Sequence, residues 1–180
     1  MMQTMEQRGF TLVETLVAIT IIAVAIIGPL YAVQQALNAS RVARDVLIAS
    51  SLAQEGIEYV RAVRDGNYIT NLISPGSRSW LSGFDGTQGG TSSYANCITA
   101  DCVVDPTQNT ISRTITPLYL SSAGLYNQQG SGSATKFTRR VRLTAVPGST
   151  TEMVVTVTVS WSVLGQTQTV TLTDRLHNWL

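Results

Sequence analysis

Positions 10–33 of this 180-residue chain hold 24 residues and one charged side chain, Glu14. About 20 apolar residues in a helix cross the hydrocarbon of a bilayer, so this run is a candidate membrane helix by length and composition. The rest of the composition agrees. The chain is 44% hydrophobic and only 13% charged, against about 25% charged in ordinary soluble domains. A chain of this length holds one modest domain besides such a segment. The formal net charge of +1 makes no strong field to attract nucleic acid or anionic lipid.

The order of residues before the span is not that of a secretory signal, in which a small-residue cleavage site follows the apolar core. Residues 1–9 are short and polar, Arg8 stands just before Gly9, and the apolar run begins at Phe10. Its exit, Gly28-Pro29-Leu30-Tyr31, is a poor peptidase site. The string Arg8-Gly9-Phe10-Thr11-Leu12-Val13-Glu14-Thr15-Leu16-Val17-Ala18-Ile19 resembles the class III leader of type IV prepilins and pseudopilins. That resemblance covers about the first 30 residues, a sixth of the chain. It implies cleavage between Gly9 and Phe10 by a membrane prepilin peptidase, and N-methylation of Phe10 by the same enzyme. Glu14 then becomes the fifth residue of the mature chain, where the family keeps its glutamate.

A charged carboxylate inside hydrocarbon costs roughly 2.5–3.5 kcal/mol on insertion scales. Cleavage at Gly9–Phe10 creates an α-ammonium about one helical turn from Glu14, and in a filament the amine of an incoming subunit can meet the Glu14 of its neighbour. Breaking such a buried pair costs about 3–5 kcal/mol, so the contact acts as a register check during assembly, the role the resemblance assigns to it. Position alone equally allows Glu14 to snorkel to water at the cytoplasmic interface. Arg8 precedes the span and no further Lys or Arg appears until Arg41. The positive-inside rule therefore expects the N-terminus in the cytoplasm and the remaining chain outside.

Helical spacing continues past the span. Val42, Val46, Ala49, Ala53, Ile57 and Val60 recur every three or four residues, with a stop expected at Asp65-Gly66-Asn67. Gly28 and Pro29 are expected to interrupt this helix, because proline removes a backbone hydrogen bond and crowds the preceding turn. The interruption reads either as a membrane-exit kink or as a segment that bends or melts on packing into a fibre. Gly56 is a milder break that lets the head approach closely.

Residues 67–110 are rich in Gly, Ser, Asn and Asp and read as a variable loop region. Cys97 and Cys102 lie in it. With no histidine nearby they make a poor zinc site, leaving a disulfide, worth about 2 kcal/mol for so short a loop, or two free thiols. The spacing of Asp85, Asp101 and Asp105 does not fit an EF-hand loop, and they read as turn aspartates. From position 111 strands dominate. One is expected over 111–119, then a Gly/Ser/Gln loop over 121–134. Alternation then runs through Phe137, Arg139, Val141 and Leu143, and again through Met153, Val155, Val157, Val159, Trp161 and Val163. A hairpin at Leu164-Gly165-Gln166 returns a Thr-rich strand over 167–173. The expected fold is α+β: a long N-terminal helix, its first half in the membrane and its second half amphipathic, packed on a C-terminal antiparallel sheet. The segments are a leader (1–9), a membrane helix (10–33), an amphipathic helix (34–66), a variable loop region with the cysteines (67–110) and a sheet head (111–180).

Ser51-Leu52-Ala53-Gln54-Glu55-Gly56-Ile57-Glu58-Tyr59-Val60-Arg61 and Val155-Thr156-Val157-Thr158-Val159-Ser160-Trp161 resemble the helix and late strand of PilV-type minor pilins and I-type secretion pseudopilins. The resemblance implies partners: other pilin or pseudopilin subunits, the prepilin peptidase/methyltransferase, an inner-membrane assembly platform, and lipid before assembly. It implies no cofactor. Lys136, Arg139, Arg140 and Arg142 read as charges of a solvated, edge-protected strand rather than a nucleic-acid site. Trp161 reads as core, and Trp179 is unassigned. The competing class is an uncleaved single-pass anchor with a binding or enzymatic head. His177 is the one histidine, and no nucleophile-elbow, zincin, phosphate-loop or paired-carboxylate motif accompanies it, so the chain is read as non-catalytic.

Overall fold

The computed structural model describes Gly9, residues 11–163 and residues 165–178. One helix, α1, runs over Leu12–Ile73. The chain divides into two units, Met1–Asp45 and Val46–Leu180. In the first unit every described residue from Thr11 to Arg44 is exposed. A segment apolar all round has no stripe to present to a core of its own; it suits a lipid or helix-bundle surrounding. Helical structure is unbroken through Gly28 and Pro29. The expected interruption is therefore not a gap in the helix: Pro29 removes one donor, and the turns on either side continue.

In the second unit α1 buries Ala49, Leu52, Ala53, Gly56, Ile57, Tyr59, Val60, Val63, Asn67 and Asn71. The spacing of three and four makes one stripe, and its upper half uses small residues. Val42 and Val46, expected on that stripe, remain 40% and 39% exposed. The helix also passes the expected stop at Asp65-Gly66-Asn67 and ends at Ile73. Two asparagine side chains account for the extension. Asn67 Nδ2 donates to the Ser82 carbonyl at 2.8 Å, and Asn71 both donates to the Arg78 carbonyl (2.6 Å) and accepts from its N–H (3.0 Å). These bonds tie the following loop back along the last two turns and hold them helical.

Among the described residues eight strands follow: β1 (Val103–Asp105), β2 (Thr110–Ser112), β3 (Tyr119–Leu120), β4 (Tyr126–Asn127), β5 (Ser133–Ala134), β6 (Thr138–Ala145), β7 (Glu152–Val163) and β8 (Gln166–His177). The strand expected over 111–119 is split into β2 and β3, and β4 and β5 lie within the expected loop. The main sheet is antiparallel in the order β6-β7-β8. Val141 pairs with Val157 and Val157 with Leu172. Gly165, at φ 78°, supplies the left-handed turn residue that so tight a hairpin needs.

The inner face of this sheet (Val141, Leu143, Val155, Val157, Val159 and Trp161) is almost wholly buried and covers the α1 stripe. The closest approach is at Gly56, where an added Cβ would lie 2.9 Å from Val157 Cγ1 and 3.3 Å from Arg139 Cδ. Arg139 shares this face. It is fully buried, which corrects the expectation of a solvated strand charge. Its Nη1 donates to Glu55 Oε2 at 2.6 Å and to the Leu52 carbonyl at 3.0 Å, and its Nη2 donates to the Val104 carbonyl at 2.8 Å. One guanidinium thus joins α1, β1 and β6. Nearer β8, Arg61 Nε donates to Asp174 Oδ2 at 2.9 Å. That hydrogen bond, ahead of the Glu58 charge, holds the Arg61 guanidinium above its usual range.

Candidate functional site

The residues singled out by sequence fall in two places. Arg8 and Phe10, and with them the cleavage and methylation position, lie outside the described residues, as does Trp179. Gly9 is described and exposed. Thr11 precedes the first helical residue, and its Oγ1 accepts the Glu14 N–H at 3.3 Å. Glu14 sits in the first turn of α1, where a carboxylate is also favoured by the unpaired N–H groups of the helix end. Thr11-Leu12-Val13-Glu14 is thus the Ser/Thr-x-x-Glu pattern of a helix start. That pattern was legible in the sequence and gives Glu14 a local role besides any intermolecular one.

Beyond this turn the exposed surface is apolar: Leu16, Ile19, Ile22 and Ile26 are each more than half exposed. The polar atoms within it are satisfied internally. Thr15 Oγ1 donates to the Leu12 carbonyl at 2.9 Å, and Thr20 Oγ1 to the Val17 carbonyl at 2.8 Å. Hydrocarbon demands such self-sufficiency, because no water is there to pair with a hydroxyl. Leu12–Ile73 contains a segment long and apolar enough to cross a membrane, and Glu14 is its one carboxylate before Asp45.

The other residues lie in the second unit. Cys97 and Cys102 are joined in a disulfide with their Cα atoms 5.3 Å apart, and both are fully buried. The loop they close is tied to the edge of β6. Cys102 N–H donates to the Val141 carbonyl at 3.0 Å, Val141 N–H donates back at 2.8 Å, and Leu143 N–H donates to the Cys97 carbonyl at 3.0 Å. Asp85 and Asp105 accept from the backbone N–H of Thr87 and Thr107 at 2.9 Å, which is turn chemistry. Asp105, almost fully buried, also accepts from Gln128 N–H at 2.8 Å. Asp101 faces Arg142 at 3.5 Å. Among the described residues no group of three or more His, Cys, Asp or Glu side chains is placed to hold a metal ion. His177 Nδ1 lies 3.5 Å from Glu152 Oε1.

Residues 4–28 match the family model described as the prokaryotic N-terminal methylation motif. Neither the curated proteins nor the solved structures contain a match to the chain. The described part of the matched segment holds Gly9, the helix start and most of the apolar run. The match supports a type IV pilin-like protein, points to a structural subunit rather than an enzyme, and with the long apolar helix supports membrane anchoring.

Proposed function

We propose that the chain is a minor pilin or pseudopilin: a prepilin cleaved between Gly9 and Phe10, methylated on Phe10, and built into a pilus or pseudopilus. The observation that carries this reading is the methylation-motif match over residues 4–28, ending within an apolar helix that nothing in its own unit buries. The leader stays in the cytoplasm and the residues from Val46 onward lie outside, where a disulfide persists. Partner subunits, the peptidase/methyltransferase and the inner-membrane assembly platform follow from the same reading. The apolar surface around Leu16, Ile19 and Ile22 serves twice, against lipid before assembly and against neighbouring helices afterwards.

Glu14 sets register by pairing with the freed amine of an adjacent subunit, since an unpaired carboxylate at that depth is unfavourable by several kcal/mol. Gly28 and Pro29 mark where the helix yields when the subunit leaves the membrane. The absent N–H of Pro29 makes that turn the least costly one to open.

Intact mass and N-terminal sequencing of the protein from its native membrane test the reading. A chain beginning at N-methyl-Phe10 is the expected result. A chain that keeps residues 1–9 where the peptidase is active would make the protein a permanent anchor and remove the filament reading.

A further inference from the structure

The outer face of the β6-β7-β8 sheet carries a charge arrangement that the filament reading does not use. In register across the three strands, Arg140 pairs with Thr158 and Thr158 with Thr171; one step along, Arg142 pairs with Thr156 and Thr156 with Thr173. Two parallel rows result, each a guanidinium followed by two threonine hydroxyls. Residues two apart on a strand share a face and stand roughly 6.6 Å apart along the backbone, so the two arginines rise from neighbouring positions on one face. Thr158 and Thr171 are in hydrogen-bond contact through their hydroxyls at 3.3 Å. Asp101, Arg140, Val141, Arg142, Thr156 and Thr158 line a half-open hollow of about 280 Å³.

Arg140 is exposed and makes no hydrogen bond or ion pair with any described residue. Arg142 has one loose partner, Asp101 at 3.5 Å, and both side chains are about 40% open to solvent. Adjacent like charges on a strand repel. A structural explanation would pair each of them, as it pairs Arg139 and Arg61, and these two are left with fewer anions than cations. Guanidinium groups in this state match carboxylates or sulfates in a two-pronged geometry, and the threonine rows add neutral donors and acceptors suited to hydroxyl groups.

We propose that this face binds an acidic polysaccharide, with Arg140 and Arg142 on its anionic groups and Thr156, Thr158, Thr171 and Thr173 on its hydroxyls. Nucleic acid fits less well. No outward-facing residue of the three strands is Phe, Tyr or Trp, and the imidazole of His177 stands beside Glu152 at the end of β8, away from the arginines. The stacking platform of single-strand binding is therefore missing here, and two cations fall short of the many phosphate contacts that give duplex binding its affinity. The site belongs to the second unit alone and does not depend on leader cleavage.

The test uses the full-length protein in detergent micelles and fluorescently labelled polygalacturonate, with neutral dextran and a DNA duplex as competitors. Saturable binding is expected, displaced by unlabelled polygalacturonate and not by dextran, and weakening as salt rises. The double variant Arg140→Gln/Arg142→Gln should bind at least tenfold more weakly with an unchanged circular dichroism spectrum. Asp101→Asn should bind severalfold more tightly, a gain that a merely destabilised sheet does not produce. Arg175→Gln, beside Glu152, should leave binding as it was. Equal binding by the double variant, no binding by the parent protein, or displacement by DNA at lower concentration than by polygalacturonate would each overturn the proposal.

Discussion

Within α1, residues 12–44 and residues 49–71 share one backbone conformation and meet opposite demands. The first stretch is exposed at every position and carries its apolar side chains all round. The second buries one face and leaves charges such as Glu58 and Asp65 on the others. A side chain facing lipid needs only to be apolar, with its hydroxyls bonded to its own helix. A side chain facing a sheet must also fit, which is why Ala49, Ala53 and Gly56 stand where large residues stand in the first stretch. Tolerance to substitution should differ accordingly: chemistry matters in the first stretch, shape in the second.

The largest expected effect is at Glu14. On the pairing proposal, Glu14→Ala loses about 3–5 kcal/mol of subunit–subunit interaction. Incorporation into fibres should fall by two orders of magnitude or more, measured by immunoblotting of sheared filaments against membranes. Melting of the folded second unit should stay within about 0.5 kcal/mol. Glu14→Gln sharpens the result, since glutamine keeps the helix-start pattern and loses the charge. Normal incorporation of Glu14→Gln would reduce Glu14 to a capping residue.

Arg139→Ala comes next. It removes a fully buried side chain together with its bonds to Glu55, Leu52 and Val104, and should destabilise the second unit by about 4 kcal/mol in urea unfolding. Glu55→Ala should cost less, about 2 kcal/mol, because that carboxylate is 39% open to solvent and its charge is partly screened. Equal losses from the two variants would show that the ion pair, rather than the three-way junction, is what Arg139 supplies.

Two helical glycines break the comparison most cleanly. Gly56→Val should destabilise by about 2 kcal/mol through its collision with Val157. Gly66→Ala should stabilise by up to about 1 kcal/mol, because nothing lies within 4 Å of the added Cβ and alanine is the better helix former. Thermal melts of both variants check the pair, and a loss at Gly66 would mean that the helix beyond Asp65 packs more tightly than described.

The smallest effect concerns pH. Burial, and then the nearby Asp105 charge, raises the Tyr59 phenol above its ordinary value of 10.0, and its hydroxyl donates to Asn109 Oδ1 at 3.0 Å. The folded state therefore holds the proton more tightly than the unfolded chain does. This contribution to stability is complete below about pH 10 and is lost as pH rises beyond it. Urea midpoints between about pH 9 and about pH 11 should fall more steeply for the parent protein than for Tyr59→Phe. Parallel curves would place the titration elsewhere.

Much of this architecture was legible in the residues. The apolar run, the helical stripe from Ala49 to Val60, the period-two strands and the Gly165 hairpin all depend on local periodicity, which a sequence displays directly. Gly56 was legible as a site of close approach. The path of residues 67–135 was not: α1 continues to Ile73 because Asn67 and Asn71 bond Ser82 and Arg78 of the loop that folds back after it, and the strand expected over 111–119 divides because its halves pair with different neighbours. Arg139 was misread for a related reason. Alternation placed it on the inner face, and its charge argued for solvent, yet the carbonyls and carboxylate that satisfy it come from residues up to 87 positions away.

By itself, the sequence determined the membrane-compatible helix, the methylation motif and the inward face of the main sheet, because each is written in neighbouring residues and needs no partner. Only the tertiary structure decided which charges are buried, paired or exposed: Arg139 closed over α1, Arg61 held by Asp174, Arg142 loosely paired with Asp101, and Arg140 exposed on the outer face. Burial and pairing are properties of what the chain brings together in space, and residues of the same type four or fewer positions apart on one strand were sorted to opposite fates by which side of β6 they occupy.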